Sequence, residues 1–255
     1  MQLPLSQAVS PRIVVLEHAG STNDELRERA TADPAAWPHL SVVATDDQRA
    51  GRGRLGRVWE APAGRTLAAS ILVDASGLDA AAAGWLPLVA GTALARALAR
   101  LVPADVAVKW PNDVLIGGRK TAGILAERLA DGRVIVGTGV NLLLDETELP
   151  VPTATSLALA GASTTDADTV LSAFLTELAA LLAPLLALGD AESAGTAAAV
   201  RHSCATLGMR VRLDLPDGTH AEGVADSLAA DGALVLRQDG VHRVFSSGDV
   251  LHLRS

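Results

Sequence analysis

The chain is short of lysine and asparagine. Its 255 residues include two lysines, Lys109 and Lys120, against 19 arginines, and three asparagines, Asn23, Asn112 and Asn141. One cysteine, Cys204, excludes an internal disulfide and a cysteine-built zinc site, and fits a reducing compartment. It is expected as a small buried apolar residue. Positive charge is in deficit overall. A formal net charge of -8 argues against a nucleic-acid binder that works through a basic body. The stretch before Leu16 lacks a basic start and is interrupted by Gln7, Pro11 and Arg12, so no signal peptide is predicted. No window is read as the run of about 18 apolar residues that a membrane span needs, so a cytoplasmic protein without membrane contact is expected.

Hydrophobic residues make up 49% of the chain, enough for one large domain with a real core plus a small one. Thr22 and Glu25 have capping-box spacing and predict a helix start. Leu40 to Thr45 and Leu67 to Asp74 read as strands, with an aperiodic Gly/Arg-rich loop, Gln48 to Gly64, between them. Leu86, Val89, Ala90, Ala93, Leu94, Ala97, Leu98 and Leu101 recur at helical spacing before Pro103. Strands follow at Val106–Lys109, Val114–Ile116, Gly123–Leu129 and Arg133–Leu142, with Gly117-Gly118 and Asp131-Gly132 as tight turns. Helices are expected over Asp166–Leu188 and Ala191–Thr206. From Met209 onward five short strands (Met209–Leu215, Ala221–Leu228, Ala233–Gln238, Val241–Phe245 and Val250–Leu253) read as a small β-barrel.

Three stretches invite chemistry. Gly51-Arg52-Gly53-Arg54-Leu55-Gly56-Arg57 alternates backbone freedom with planar cationic forks suited to phosphate or carboxylate. A flexible nucleic-acid tether or a solvated turn is the alternative. Lys109-Trp110-Pro111-Asn112-Asp113 is followed after one hairpin turn by Lys120, which brings both lysines within twelve residues of each other. A surface hairpin with solvated lysines competes, but elsewhere the chain uses arginine for surface charge, so a retained lysine suggests a need for a compact point charge. Gly137-Thr138-Gly139-Val140-Asn141 places glycines inside an apolar strand, which marks either close approach of a ligand or a bulge.

In content, order and spacing, Ser21-Thr22-Asn23, Gln48 to Arg57 with Trp59, Lys109 to Asp113 with Lys120, and Gly137 to Asn141 resemble the biotin–protein ligase family. The Thr155-Ser156-Leu157 turn and the C-terminal β-module extend the likeness. The resemblance implies an α+β fold: a mixed-sheet catalytic domain of the biotin/lipoate ligase type with helices packed on it (1–206), then a small SH3-like β-barrel (207–255). It implies synthesis of biotinyl-5′-AMP from biotin and ATP, with Mg²⁺ carried by ATP rather than by protein ligands, and transfer to a lysine of an apo biotin carboxyl carrier domain.

The resemblance also implies roles by position. Ser21, Thr22, Asn23 and Gln48 form the polar set for biotin, with Trp59, Gly123, Ile124, Leu125, Gly137 and Gly139 around it. Gly51, Arg52, Gly53, Arg54, Gly56 and Arg57 close over ATP and the adenylate, with Trp59, Lys109 and Asn112. Lys120 is the central cation, between the biotin carboxylate and the α-phosphate, and Asn141 reads the adenine edge. Lys120, Arg54 and Asp113 are the expected catalytic group, Asp113 or Asn112 orienting the lysine or the Mg²⁺ hydration shell and Asp113 assisting the acceptor amine.

Twenty residues before Ser21 leave no room for a helix-turn-helix, so no DNA binding is expected, and the chain is expected as a monomer or weak homodimer. A lipoate or octanoate ligase of the same fold is one alternative. A nucleic-acid module built on the arginine loop is another, weakened by a single aromatic residue, Phe245, between Met209 and Ser255.

Overall fold

The computed structural model describes residues 1–59 and 61–253. Helices are α1 (Pro4–Gln7), α2 (Thr22–Ala32), α3 (Ala80–Gly84), α4 (Leu86–Ala99), α5 (Ala167–Leu188) and α6 (Thr196–Ser203). The first nine strands are β1 (Ile13–Val15), β2 (Val42–Thr45), β3 (Gly51–Arg52), β4 (Val58–Trp59), β5 (Thr66–Val73), β6 (Val106–Lys109), β7 (Asp113–Ile116), β8 (Arg119–Arg128) and β9 (Val134–Asn141). Seven of these make one mixed sheet in the order β1-β2-β5-β9-β8-β7-β6. The β1–β2 pair is parallel and every other pair antiparallel.

Strand alternation divides the residues between two faces. On one face Leu67, Ala69, Ile71 and Val73 of β5, with Val134, Val136 and Val140 of β9, pack in a core cluster with residues of α4 and α5. On the other, Val43, Leu72 and Ile135 meet Leu26 and Ala30 of α2. Along β9 that second face continues through Gly137 and Gly139, where the missing side chains leave space above the sheet. A hollow opens there.

The remaining strands, β10 (Arg210–Asp214), β11 (His220–Leu228), β12 (Leu234–Gln238), β13 (Val241–Phe245) and β14 (Asp249–His252), form the SH3-like module. It is an antiparallel sheet in the order β13-β12-β11-β10-β14, with an irregularity between Ala225 and Ser227. Val211, Leu213, Ala225, Leu234, Leu236 and Val250 are among its buried residues. Two tryptophans fasten it to the larger part. Trp85 Nε1 donates to Ala230 O at 2.7 Å, and Trp110 Nε1 to Gly232 O at 3.1 Å. Gly84 lies so close that a Cβ there would sit 2.4 Å from Asp231 O.

Several expectations change. The second of the two late helices starts at Thr196 rather than Ala191, because Gly195 takes a left-handed φ of 71°. The arginine loop is not wholly irregular: β3 and β4 pair as a short ribbon within it. β8 begins at Arg119, four residues earlier than predicted. Helix α5 has the length (22 residues) and mean hydropathy (2.0) of a membrane span, contrary to the reading that no segment does. Its Leu171, Phe174, Leu175, Leu178 and Leu182 are buried in the core cluster with residues of α4, as in a central helix of a packed domain. Cys204 is buried as expected, and burial pushes its thiol above the usual range.

Candidate active site

A cavity of about 310 Å³ opens on the second face of the sheet, between α2, the arginine ribbon, the β6–β7 turn and the C-terminal module. Its floor is made of glycines. A Cβ at Gly137 would stand 2.2 Å from Asn23 Oδ1, and one at Gly139 would stand 2.5 Å from Cε2 of the Trp59 indole. Both positions therefore exclude a side chain while Asn23 and Trp59 hold their places. At Gly123 a Cβ would meet the same indole at 3.4 Å and Lys120 Nζ at 3.6 Å.

The polar end is built at the start of α2. Ser21, not Thr22, is its N-cap residue and makes no side-chain capping bond; Thr22 is already helical, so the predicted Thr22–Glu25 capping box is absent. Gln48 Oε1 serves instead, accepting the Thr22 backbone N–H at 2.9 Å. Ser70, on β5, bridges the Thr22 hydroxyl (2.7 Å) and Asn23 Oδ1 (2.6 Å). Asn23 Nδ2 donates to Glu127 Oε2 at 2.6 Å. The same carboxylate oxygen lies 3.0 Å from Arg27 and 3.5 Å from Arg52. Ser70 and Glu127 are additions that sequence reasoning missed.

The cationic end is built by β6, β7 and β8. Register sets Lys109 opposite Asp113 and Asp113 opposite Gly123, while the β7–β8 irregularity turns Lys120 toward the same place. Lys120 Nζ lies 2.6 Å from Asp113 Oδ1 and 5.7 Å from the centre of the Trp59 ring. Burial pulls Lys109 below the usual lysine range; Asp113 and Asp249 oppose this, while Lys120 and Arg57 add to it. Asn112, whose Nδ2 donates to Ile124 O at 2.7 Å, pins the turn to β8.

The arginine ribbon leans on the C-terminal module. Arg57 makes a two-pronged ion pair with Asp249, and Arg54 Nη1 donates to Gly248 O at 3.4 Å. Desolvation draws Arg54 below its ordinary value, against the pull of Asp249 and Asp113. Arg52 reaches the other way, to Asp24 at 2.6 Å. Asp214, Asp249, Val250 and Leu251 thus line the cavity from a module whose part in it the sequence did not reveal.

Most predicted residues converge here: Ser21, Thr22, Asn23, Gln48, Arg52, Gly53, Arg54, Arg57, Trp59, Lys109, Asn112, Asp113, Lys120, Gly123, Ile124, Leu125, Gly137 and Gly139 all line the cavity. Three do not lie on its wall. Asn141 is buried and spends its amide on Thr155 O at 2.9 Å, holding the turn after β9. Gly51 makes room for its neighbours, since a Cβ there would strike Trp59 O at 2.4 Å and Gln48 Nε2 at 2.5 Å. Gly56 takes a φ of 75° at the tip of the ribbon. Ile124, though bordering the cavity, packs in the core cluster on the opposite face, and Leu125 shares the cavity face with Gly123.

As a class, this is an α+β protein with a cation-lined cavity set between a mixed sheet and an SH3-like module. Residues 20–144 match the biotin/lipoate A/B protein ligase family, and residues 206–253 match the biotin protein ligase C-terminal domain. The sequence is 39% identical to the biotin–[acetyl-CoA-carboxylase] ligase of Mycobacterium tuberculosis, over 94% of this chain and 88% of that protein. It is 30% identical to the bifunctional ligase/repressor BirA of Escherichia coli, over 96% of this chain and 75% of that one. The structure is similar to that of the biotin protein ligase of Aquifex aeolicus in complex with biotin and ATP, with a TM-score of 0.75, 25% identity, and coverage of 96% of this chain and 99% of that one. The chain belongs to the biotin/lipoate A/B protein ligase family.

Proposed function

We propose that this protein is a biotin–[biotin carboxyl carrier protein] ligase. A biotin carboxylate oxygen attacks the α-phosphorus of ATP, and pyrophosphate leaves. The ε-amine of a carrier lysine then attacks the carbonyl of biotinyl-5′-AMP, AMP leaves, and the amine gives up a proton. Neither step needs a protein nucleophile. Both need positive charge fixed where negative charge concentrates, inside a site that excludes water.

The observation that carries this reading is the placement of Lys120. Its ammonium stands beside the glycine floor, paired with Asp113, in a cavity that Thr22 and Asn23 line together with Lys109, Arg54 and Arg57. We assign Lys120 to the biotin carboxylate and α-phosphate, the arginine ribbon to the phosphates and adenylate, and Thr22, Asn23 and Gln48 with Ser21 to the ureido ring. Asp113 acts first as the anchor of Lys120, and its assistance to the acceptor amine depends on release from that pair. Mg²⁺ enters bound to ATP, as part of that substrate. We assign the catalytic domain to residues 1–206 and the SH3-like domain to 207–255, and the reaction to the cytoplasm.

The test is ATP-dependent labelling of an apo carrier domain, with biotin and lipoate offered side by side and the product read by avidin blotting and mass. Biotin transfer alone is expected. Lipoate transfer in its place would move the chain to the other branch of the family.

A further inference from the structure

The carboxylate of Glu127 sets the direction of a chain of hydrogen bonds that ends in the cavity. A carboxylate has no proton to give, so the Asn23 atom 2.6 Å from Glu127 Oε2 must be Nδ2. Leu125 O, an acceptor 3.4 Å from the same nitrogen, demands the same orientation. Asn23 Oδ1 then faces Ser70 at 2.6 Å as an acceptor, and Ser70 must spend its one hydroxyl proton there. The 2.7 Å contact between Ser70 and Thr22 is left needing a proton from Thr22. Gln48 Oε1, 3.2 Å from the Thr22 hydroxyl, competes for the same proton from a longer distance and already accepts the Thr22 backbone N–H at 2.9 Å; given to either oxygen, the proton stays inside the network. Thr22 Oγ1 therefore turns lone pairs, not a proton, toward the cavity. Asn23 and Thr22 are each 3% exposed and Ser70 is fully buried, so water does not scramble the order.

We infer that Glu127 is a positioning residue for substrate selection: through Asn23 and Ser70 it holds Thr22 Oγ1 as an acceptor for a ureido N–H. This rests on the biotin reading above and deepens it. The same carboxylate oxygen faces Arg52, so the substrate slot and the arginine ribbon share one anion. Replacing Glu127 by Gln keeps shape but supplies both a donor and an acceptor, so the sense of Asn23, Ser70 and Thr22 then rests on Leu125 O alone, at 3.4 Å.

The experiment is calorimetric binding of biotin and of its carbamate analogues, in which either ureido N–H is replaced by oxygen, to wild type, Glu127→Gln, Ser70→Ala and the double variant. The quantity read is the ratio of the two affinities. Wild type is expected to prefer biotin over one analogue, and both single variants to lose roughly three- to tenfold of that preference, the scale of one hydrogen bond. The double variant is expected to lose no more than either single one, because Ser70 lies on the path from Glu127. Failure of wild type to bind biotin overturns the proposed function. An unchanged ratio in Glu127→Gln, or losses that multiply in the double variant, overturn the wiring while leaving the function in place. Should Glu127→Gln not fold, Ser70→Ala tests the same path, and an unchanged ratio there is equally fatal.

Discussion

Lys120 and Asp113 form an ion pair of 2.6 Å in the wall of the cavity, with the lysine about one-third exposed. The pair presets the ammonium and leaves its other two protons directed elsewhere, the arrangement a preorganised cation needs. Lys120→Ala is expected to slow biotin-dependent ATP–pyrophosphate exchange by at least about 10²-fold, the usual scale for removing one such donor. Asp113→Asn, which frees the lysine without removing it, should cost less. Exchange near the wild-type rate in Lys120→Ala would remove Lys120 from the chemistry.

The second relationship joins the two parts of the molecule. Arg57 and Asp249 are paired across 192 positions of sequence, and Arg54 reaches Gly248 O beside them. A ribbon held down in this way encloses whatever occupies the cavity. Asp249→Ala removes the ion pair while leaving every arginine, and the Arg54 contact with Gly248 O, in place. It should speed release of a labelled adenylate about tenfold, the scale of one charge-assisted hydrogen bond, with a smaller effect on its formation. Arg54→Gly should act in the same direction. Stopped-flow release at the wild-type rate in both variants argues that the ribbon does not retain the product.

Gly139 offers a steric test. A methyl group there would lie 2.5 to 2.8 Å from three atoms of the Trp59 indole, too close for the ring to stay. Gly139→Ala should displace the indole, weaken biotin binding and raise acrylamide quenching of tryptophan fluorescence. The other tryptophans, Trp37, Trp85 and Trp110, are buried, so the new quenching would report Trp59. Unchanged quenching together with unchanged binding would mean that the floor yields instead.

How much of this the sequence could tell depends on the range of the interaction. Alternating strands with Gly117-Gly118 and Asp131-Gly132 between them are local patterns, and they appear within a few residues of their predicted places. The five C-terminal strands, bounded by Asp-Gly turns, were equally legible. β1, with three residues, and the β3–β4 ribbon, with two per strand, are too short to show a period. In the site, residues flagged by unusual composition converge: both lysines line the cavity, and two of the three asparagines do. The third, Asn141, sits inside the matched pattern yet points its amide at a turn. Ser70, Glu127 and Asp249 carried no local mark. Glu127 acts on a partner 104 positions away and Asp249 on one 192 away, so only the folded chain reveals them.

Lys109 gives the last prediction, in which function and stability pull apart. Burial disfavours its charged form, so its native value lies below the ordinary 10.5. Between these two values the unfolded chain holds a proton that the native chain has released, and stability therefore rises with pH across that window. Below the window the penalty for the buried charge is felt in full. Lys109→Met, which keeps the stem and removes the charge, should raise Tm by about 2–4 °C at neutral pH, the scale of a 1 kcal/mol gain in a chain of this size. The advantage should shrink as pH climbs toward 10.5, and the KM for ATP should rise if the ammonium serves the phosphates. A Lys109→Met protein that melts earlier than wild type at pH 7 would show that Asp113 and Asp249 compensate the burial in full, and that the lysine is held there by its partners rather than for its substrate.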